Sequence, residues 1–283
     1  MKVKLLSFSL RRWLPVLLIA LATHLSARPV FTYSYRSDGT CKLTSVSSAS
    51  GIVTIEEDVL YNDELYKVTE IAPGVFKDCA ELTGLNMGRY ITAIPESFCQ
   101  DCPALTYVYF SASSTVTSIG KQAFRDCTSL LGFTIPETVT SVDEQAFRGC
   151  SSLASITIPE GVTSIGNSAF RDCPAMNFIA FRGRALKSIG SYAFYGCTGL
   201  EFVSFDEAGA IELPDNVFSE SVYSSATLYY PSFSYYNIPA PWTRFKFKSV
   251  RSATPRLVYS YNVGFNRPPA RSDMSFPDGT SPI

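Results

Sequence analysis

The sequence contains one histidine, His24, which lies in an amino-terminal segment with the features of a cleavable export signal. The expected mature chain therefore lacks the side chain that most often acts as a general base near neutral pH. This excludes a Ser-His-Asp or Cys-His nucleophile and any zinc site with a histidine ligand. The acidic residues have no metal-loop spacing, and no glycine-rich phosphate or dinucleotide motif occurs. We therefore expect no catalytic residue, no metal site and no cofactor.

Long apolar runs are also scarce, and the one near the start fits a signal peptide. Residues 14–22 are apolar, residues 25–27 offer a small residue at a cleavage point, and four basic residues come first: Lys2, Lys4, Arg11 and Arg12. The apolar run is too short to span a bilayer comfortably. Residues 1–27 thus predict export, either to the medium or to the cell surface. An uncleaved anchor is the alternative.

Basic residues are not in excess. The chain carries 24 Lys and Arg against 25 Asp and Glu, a net charge of −1. The export segment holds four basic residues and no acids, so the mature chain has 20 against 25 and a net charge of −5. Because a nucleic-acid binder needs a basic face, we expect no nucleic-acid partner.

The sequence does contain a repeat of about two dozen residues. Phenylalanine recurs at intervals of 22, 26, 23, 23, 24 and 24 residues, at Phe76, Phe98, Phe124, Phe147, Phe170, Phe194 and Phe218. A cysteine follows most of these three residues later, at Cys79, Cys127, Cys150, Cys173 and Cys197. In the second unit Cys102 comes one residue late, and in the last Ser221 takes the place. A fixed period of this length indicates a solenoid.

Each unit predicts two short strands and a turn. Residues 153–158 alternate apolar with small polar side chains, as a half-buried strand does, and Pro159 and Gly161 then turn the chain. Residues 162–165 predict the second strand, and residues 167–170 predict one helical turn that inserts Phe170. A unit this small cannot bury its apolar face alone, so stacked units must share a core. The phenylalanines should then form one buried column.

The pattern Cys-x-x-Leu-x-x-Ile-x-Ile-Pro-x-x-Val-x-x-Ile-x-x-x-Ala-Phe resembles the BspA-like class of bacterial leucine-rich repeats over roughly residues 51–250. The resemblance implies a mostly β fold with short helical turns, built as a right-handed, curved leucine-rich-repeat solenoid with N- and C-terminal caps. It also implies a secreted or surface protein, since family members are linked to adhesion and to binding of host or matrix proteins.

The chain divides into five expected regions. These are a signal peptide (1–27), an N-terminal cap with a β-hairpin (28–67), the solenoid (68–225), a C-terminal cap (226–250) and a poorly ordered tail (251–283) with a short strand at 257–261. The hairpin is predicted from residues 31–35 and 41–46, which flank a turn at 37–39. The C-terminal cap is rich in aromatics: Tyr229, Tyr230, Phe233, Tyr235, Tyr236, Trp242, Phe245 and Phe247. We interpret them as core and lid packing, with a carbohydrate platform as the alternative.

Eight cysteines in an exported chain suggest disulfides, but their spacing argues against them. Residues one repeat apart stack about 4.8 Å apart, and parallel side chains keep the Cβ atoms near that spacing. A disulfide needs about 3.5–4.5 Å between Cβ atoms. The spacing therefore predicts a column of buried free thiols. Cys99 and Cys102 form a C-x-x-C without a partner pair, so Cys102 is interpreted as the repeat cysteine and Cys99 as an extra one.

The outward positions of the first strands line one surface, which we call the strand face. Most of these positions carry small residues, but four carry aromatics: Tyr107, Tyr109, Phe178 and Phe202. We predict that these four bind a partner, because exposed aromatics dominate interfaces. The alternative is that single exposed aromatics have no role. The second strands carry a threonine column that suits a sheet surface, formed by Thr69, Thr92, Thr117, Thr140 and Thr163.

These observations favour a non-enzymatic secreted or cell-surface module for protein interaction or adhesion, which acts as a monomer through its strand face. Its partner would be an extracellular protein or a matrix or host ligand. The alternatives are a structural envelope component without a specific ligand and a glycan-binding protein. A glycosidase that uses only carboxylates needs no histidine, but it needs two acids across a cleft. The repeat supplies no such pair.

Overall fold

A computed structural model of the protein describes residues 28–205, 211, 213–231 and 242–251. The expected signal peptide with His24 lies outside these residues. Much of the expected C-terminal cap also lies outside them, including Phe233, Tyr235 and Tyr236. The tail, with its expected strand at 257–261, lies outside them as well.

The described chain is a mostly β solenoid with very little helix, as predicted. Its strands are β1 (Val30–Tyr35), β2 (Thr40–Ser47), β3 (Gly51–Thr54), β4 (Asp58–Tyr61), β5 (Glu64–Ile71), β6 (Leu82–Met87), β7 (Ala93–Ile94), β8 (Tyr107–Phe110), β9 (Ser118–Ile119), β10 (Ser141–Val142), β11 (Ser155–Ile158), β12 (Ser164–Ile165), β13 (Phe178–Phe181), β14 (Ser188–Ile189), β15 (Phe202–Phe205), β16 (Thr227–Pro231) and β17 (Phe247–Arg251). The helices in this part are α1 (Glu220–Ser225) and a 3-10 turn (Trp242–Arg244). None of the described helices combines the length and apolarity that a bilayer crossing requires.

Successive repeats stack as parallel coils. The first strands form the sheets β3-β6-β8 and β11-β13-β15-β16-β17, and the second strands form β7-β9-β10-β12-β14. Register partners lie one repeat apart, so Ile156 stands beside Ile179, which stands beside Val203. Between β8 and β11 the stack continues through Leu131, whose N–H donates to the Thr106 carbonyl and whose carbonyl accepts from the Ala154 N–H.

The N-terminal cap is a four-stranded sheet in the order β1-β2-β5-β4. Strands β1 and β2 pair antiparallel, which confirms the hairpin prediction. The Asp38 carboxylate fixes the turn, since it accepts hydrogen bonds from the Thr40 N–H at 3.0 Å and from the Thr40 hydroxyl at 2.6 Å. Cys41 and Leu43 of β2 are buried and close the core at this end.

The phenylalanine column exists as predicted. All seven rings are at most 2 % exposed. The centroids of Phe147 and Phe170 lie 5.1 Å apart with the ring planes at 2°, and those of Phe170 and Phe194 lie 5.1 Å apart at 1°. Burying one such ring contributes on the order of 1.5–3 kcal/mol, so the column is a major part of the core.

The second coil corrects the spacing that we assigned to Cys102. The Cys99 N–H donates to the Ala123 carbonyl, just as the Phe124 N–H of the next coil donates to that of Ala146. Cys99 therefore occupies the backbone position of the phenylalanine, outside the cysteine column, and Cys102 is the repeat cysteine, as we interpreted it. Cys102 is in register and does not come one residue late. Phe98 reaches the column from one residue earlier, so its ring stands edge-on to its neighbours, at 88° and 90°, and does not stack.

The six residues before each repeat cysteine, which we call the turn segment, do not form the expected helical turn. Two of the six have left-handed backbone, as at Ser168 (φ 54°) and Asp172 (φ 61°) before Cys173. The same spacing recurs in Gly74 and Asp78, Ser97 and Asp101, Gln122 and Asp126, Gln145 and Gly149, and Tyr192 and Gly196. A helix would use the N–H groups within the segment. Here the N–H groups of Ser168, Phe170 and Asp172 donate to the next coil at 2.8 Å.

Glycine is required where one coil touches the next at Gly166. A Cβ atom there would lie 2.4 Å from the Glu144 nitrogen and 2.6 Å from the Asp143 carbonyl carbon. We expect Gly166→Ala to lower the free energy of unfolding by about 1–3 kcal/mol, the usual cost of overpacking. Urea denaturation would measure the change.

Gly161→Ala is the matched control, because its Cβ would lie 3.5 Å from the nearest backbone oxygens. This substitution should be neutral or stabilise by up to about 1 kcal/mol, since it restricts the unfolded chain. Equal losses for both variants would contradict the close coil contact at Gly166.

Candidate functional site

The open part of the strand face lies at its N-terminal end. Ile52, Gly84 and Tyr107 share one register position in β3, β6 and β8. Thr54, Asn86 and Tyr109 share the next outward position in the same strands. We call Ile52, Tyr107 and Tyr109 the aromatic patch, after its two tyrosines.

Gly84 shapes this patch. A Cβ atom on Gly84 would lie 2.4–2.7 Å from three atoms of the Tyr107 side chain, so that ring lies across the bare glycine backbone. Tyr107 is half-buried as a result, whereas Tyr109 is 49 % exposed and Ile52 is 61 % exposed. Between them the Asn86 amide donates to the Thr54 hydroxyl at 3.0 Å. The patch therefore combines fixed apolar surface with a small polar centre.

The other two predicted binding residues are less accessible, and for Phe178 the expected exposure is wrong. Phe178 is only 5 % exposed, and every residue of β13 is buried. Its register partner Phe202 is half-buried, with its ring centroid 6.0 Å from that of Tyr229 in β16. Tyr229 of β16 therefore covers part of the Phe202 ring at this end of the strand face.

Between these two ends the strand face is flat. Ser155 and Thr157 are half-buried and Thr134 is exposed. None of the outward positions from Ile52 to Ala180 carries a charged side chain. Such a surface can exclude water and exchange hydrogen bonds, but it offers no carboxylate, imidazole or amine for proton transfer.

Ile52 is the residue that sequence reasoning missed. It belongs to the irregular first repeat, in which Ser47 stands at the spacing where a cysteine precedes the later strands. Its signal was the short strand pattern at residues 52–55, whose outward positions continue those of β6 and β8. Extending the outward columns into that strand would have placed Ile52 beside Tyr107.

The threonine column has the structural role that we predicted. The hydroxyl groups of Thr117, Thr140 and Thr163 each donate to the carbonyl of the threonine one coil earlier, at 3.0–3.1 Å. These hydrogen bonds join neighbouring coils, and they use the donor capacity of the hydroxyl groups.

All eight cysteines are free, which confirms the thiol prediction, and seven of them are buried. The repeat thiols also donate hydrogen bonds to the preceding coil. The Cys150 thiol lies 3.1 Å from the Phe124 carbonyl oxygen, and the Cys197 thiol lies 3.1 Å from that of Phe170. Burial raises the pKa of Cys99 to about 11 and raises the pKa of Cys127 and Cys150 well above the ordinary thiol value. Because the thiolate is the nucleophile, these thiols are unreactive in the folded protein.

No cluster of three or more His, Cys, Asp or Glu side chains suited to a metal ion occurs among the described residues. At the C-terminal end, Trp242 and Phe245 are each 1 % exposed and pack near Phe218. The Trp242 indole N–H donates to the Ile211 carbonyl at 3.1 Å. These two rings are therefore core packing, as we interpreted them.

Comparison with known proteins gives one family. The model of the BspA type leucine rich repeat region matches residues 35–131 and 117–239, in six copies. No curated protein sequence matches the chain.

Several solved structures are similar to the chain. A leucine-rich repeat protein from Bacteroides ovatus is 20% identical, with 78% of this chain and 75% of that chain covered and a TM-score of 0.49. A leucine rich cell surface protein from Faecalibacterium prausnitzii is 18% identical, with 71% and 87% covered and a TM-score of 0.35. The leucine-rich repeat protein of T. pallidum is 19% identical, with 79% and 96% covered and a TM-score of 0.41.

Proposed function

Because the chain belongs to the family of proteins with BspA-type leucine-rich repeats, we propose that it is a non-enzymatic, exported module that binds a protein through its aromatic patch. The partner is an extracellular host or matrix protein, and the biological role is adhesion. The export pattern of residues 1–27 supports the extracellular setting.

One observation carries the proposal. Ile52 and Tyr109 are 61 % and 49 % exposed on a strand face that is otherwise small, uncharged or covered. Tyrosine is enriched among the residues that dominate binding energy, and these residues cluster near the centre of an interface. The polar positions around the patch then exclude water from that centre.

A protein partner fits the patch better than a glycan. Ile52 contributes an aliphatic surface that neither donates nor accepts a hydrogen bond. The Asn86 amide already donates to Thr54 at 3.0 Å, which engages part of the hydrogen-bonding capacity of the patch. A polar sugar would therefore find few partners, whereas an apolar protein side chain would bury Ile52 and Tyr109 together.

The double variant Ile52→Ser/Tyr109→Ser tests the patch. We expect affinity for the matrix partner to fall about thirtyfold or more, the effect of removing an interface centre. The melting temperature should stay nearly unchanged, because both side chains are exposed. Surface plasmon resonance against purified matrix proteins and mucin, with fluorescence melting in parallel, would measure both.

Val30→Ser is the matched control, since Val30 is 63 % exposed in the cap, outside the strand face. Full retention of matrix binding by the double variant would remove the proposed site. Binding to mucin glycans alone would favour the glycan-binding alternative, and no binding by the natural sequence to any fraction would favour a structural envelope component. Hydrolysis in a glycosidase screen would contradict a non-enzymatic module.

A further inference from the structure

A projecting hairpin carries the most exposed apolar pair in the described part of the chain. Strands β4 and β5 form this hairpin, and Leu60 and Leu65 stand directly opposite each other across it. They are 65 % and 70 % exposed. The hairpin belongs to the cap sheet, whereas the aromatic patch belongs to the sheet β3-β6-β8, so the two surfaces are separate.

The opposite side of the hairpin is anchored by tyrosines. The Tyr61 ring stacks on Tyr35 with centroids 4.0 Å apart and planes at 10°, and Tyr66 stands edge-on to Tyr35 at 4.9 Å. Asn62 and Asp63 both have left-handed backbone, at φ 50° and 62°, as a tight two-residue hairpin turn requires. The leucine pair is therefore presented on a rigid arm, which lowers the entropy cost of binding.

The hairpin that carries this pair is rich in carboxylates. Residues 56–67 include one basic residue, Lys67, and five acids: Glu56, Glu57, Asp58, Asp63 and Glu64. Glu57 is neutralised by Arg89, at 2.8 Å, and Lys67 lies over the Tyr90 ring at 5.0 Å. On the leucine side Asp58 stands opposite Lys67, and on the other side the Glu64 carboxylate accepts from the Tyr66 hydroxyl at 2.9 Å. The four carboxylates other than Glu57 still outnumber Lys67, so the hairpin keeps excess negative charge at its turn and along its edge.

We propose that this hairpin is a second docking element, which binds a cationic amphipathic segment of a partner protein. The leucine pair takes the apolar side of that segment, and the flanking carboxylates take its lysine or arginine side chains. A second copy of this chain is disfavoured as the occupant, because pairing two hairpins would bring two acidic edges together and their charges would repel. Complementary charge also favours fast association and makes the binding sensitive to salt.

Isothermal titration of the full chain with a helical leucine–lysine peptide tests the proposal. The peptide should bind at low ionic strength, and Leu60→Ser/Leu65→Ser should weaken binding by about tenfold or more. Asp58→Asn/Asp63→Asn should also weaken it and should flatten its dependence on salt. Both pairs are exposed, so circular dichroism should show the natural fold.

The matched control is Val30→Ser, which removes a similarly exposed apolar side chain elsewhere and should leave peptide binding unchanged. Three outcomes would overturn the proposal. One is binding that the leucine variant does not alter, and another is equal binding of a leucine–glutamate peptide. The third is a dimer of the natural chain that the leucine variant abolishes, which would make a second copy the occupant.

Discussion

Raising the pH from 8 to 10 is expected to lower the free energy of unfolding by at least about 5 kcal/mol, because the buried thiols cannot ionise in the folded chain. The pKa of Cys99, Cys127 and Cys150 is raised chiefly by burial. The pKa of Cys173 is raised first by its contact with the Cys197 thiol and then by burial. In the unfolded chain the same thiols return to the ordinary value.

The sign follows from the proton balance. A thiol whose pKa is higher in the folded state keeps its proton there, while the unfolded chain loses it above about pH 9. The stabilising effect is therefore complete below pH 9 and declines as the pH rises towards the folded pKa, which is about 11 for Cys99. Each thiol contributes on the order of 1 kcal/mol per pH unit, so these four account for about 5 kcal/mol. The pKa of Cys41, Cys79 and Cys102 is also raised, and these thiols add to the loss.

Urea denaturation at pH 7, 8, 9 and 10, with a reducing agent present, would measure this dependence. Cys150→Ala is the control variant and should reduce the loss between pH 9 and 10 by about 1 kcal/mol, since one thiol with a raised pKa is gone. A free energy of unfolding that stays constant up to pH 10 would contradict the buried free thiols. Alkylation of the denatured chain should find all eight thiols reactive.

Phe170→Ala is expected to cost about 3–5 kcal/mol, the range for truncating a large core side chain. The Phe170 ring is fully buried and stacks at 5.1 Å on both Phe147 and Phe194, so its removal leaves a cavity between two rings. Neighbouring coils are tied together by backbone hydrogen bonds, which limits how far the cavity can collapse. Urea denaturation at pH 7 would give the change.

Tyr109→Ala serves as the comparison, because it removes an aromatic ring that is 49 % exposed on the strand face. That variant should lose less than about 1 kcal/mol. If Phe170→Ala were no more destabilising than Tyr109→Ala, the phenylalanine column could not be the continuous core that we describe.

The sequence predicted the coil stack well because its columns repeat together. Phenylalanine, cysteine and the strand pattern each return with the same period. Because equivalent residues of successive coils stack, burial of one member of a column implies burial of the others. The second coil shows the limit of this reasoning. Counting from Phe98 placed Cys102 late, whereas the backbone aligns by cysteine and puts Cys99 in the phenylalanine position. Spacing alone cannot tell which of two columns has shifted.

The turn segment was harder to predict. Residues 167–170 look like one helical turn, because a short polar-then-apolar stretch fits a helix as well as a chain of tight turns. The deciding signal was the residue before the repeat cysteine, which is aspartate or glycine in all six coils from Asp78 to Gly196. Both residue types tolerate left-handed backbone. Whether the N–H groups of the segment bond within their own coil or to the next coil depends on tertiary packing, which a local sequence pattern does not show.

The candidate site could be predicted only in part, for a similar reason. Strand alternation gives the direction of a side chain, so Tyr107 and Tyr109 were correctly placed on the outward side. It does not reveal what covers that side. Phe178 has the same outward register, yet it is buried, in a sheet to which the far end of the chain adds β16 and β17. Which half of the strand face is accessible can be seen only in the folded chain, where the strands of both ends are positioned.

The turn segments give the molecule a polarity from end to end. In each of five coils, three N–H groups of this segment donate to the coil that follows, as those of Gln122, Phe124 and Asp126 do at 2.7–2.9 Å. One terminus of the stack consequently offers acceptors and the other offers donors, so the closing pieces cannot be exchanged. Each whole coil, by contrast, has carbonyl acceptors on one side and N–H donors on the other. If a coil is removed, its two neighbours can therefore pair directly with each other. Evolution can therefore lengthen or shorten such a chain by complete units without redesigning either closing piece.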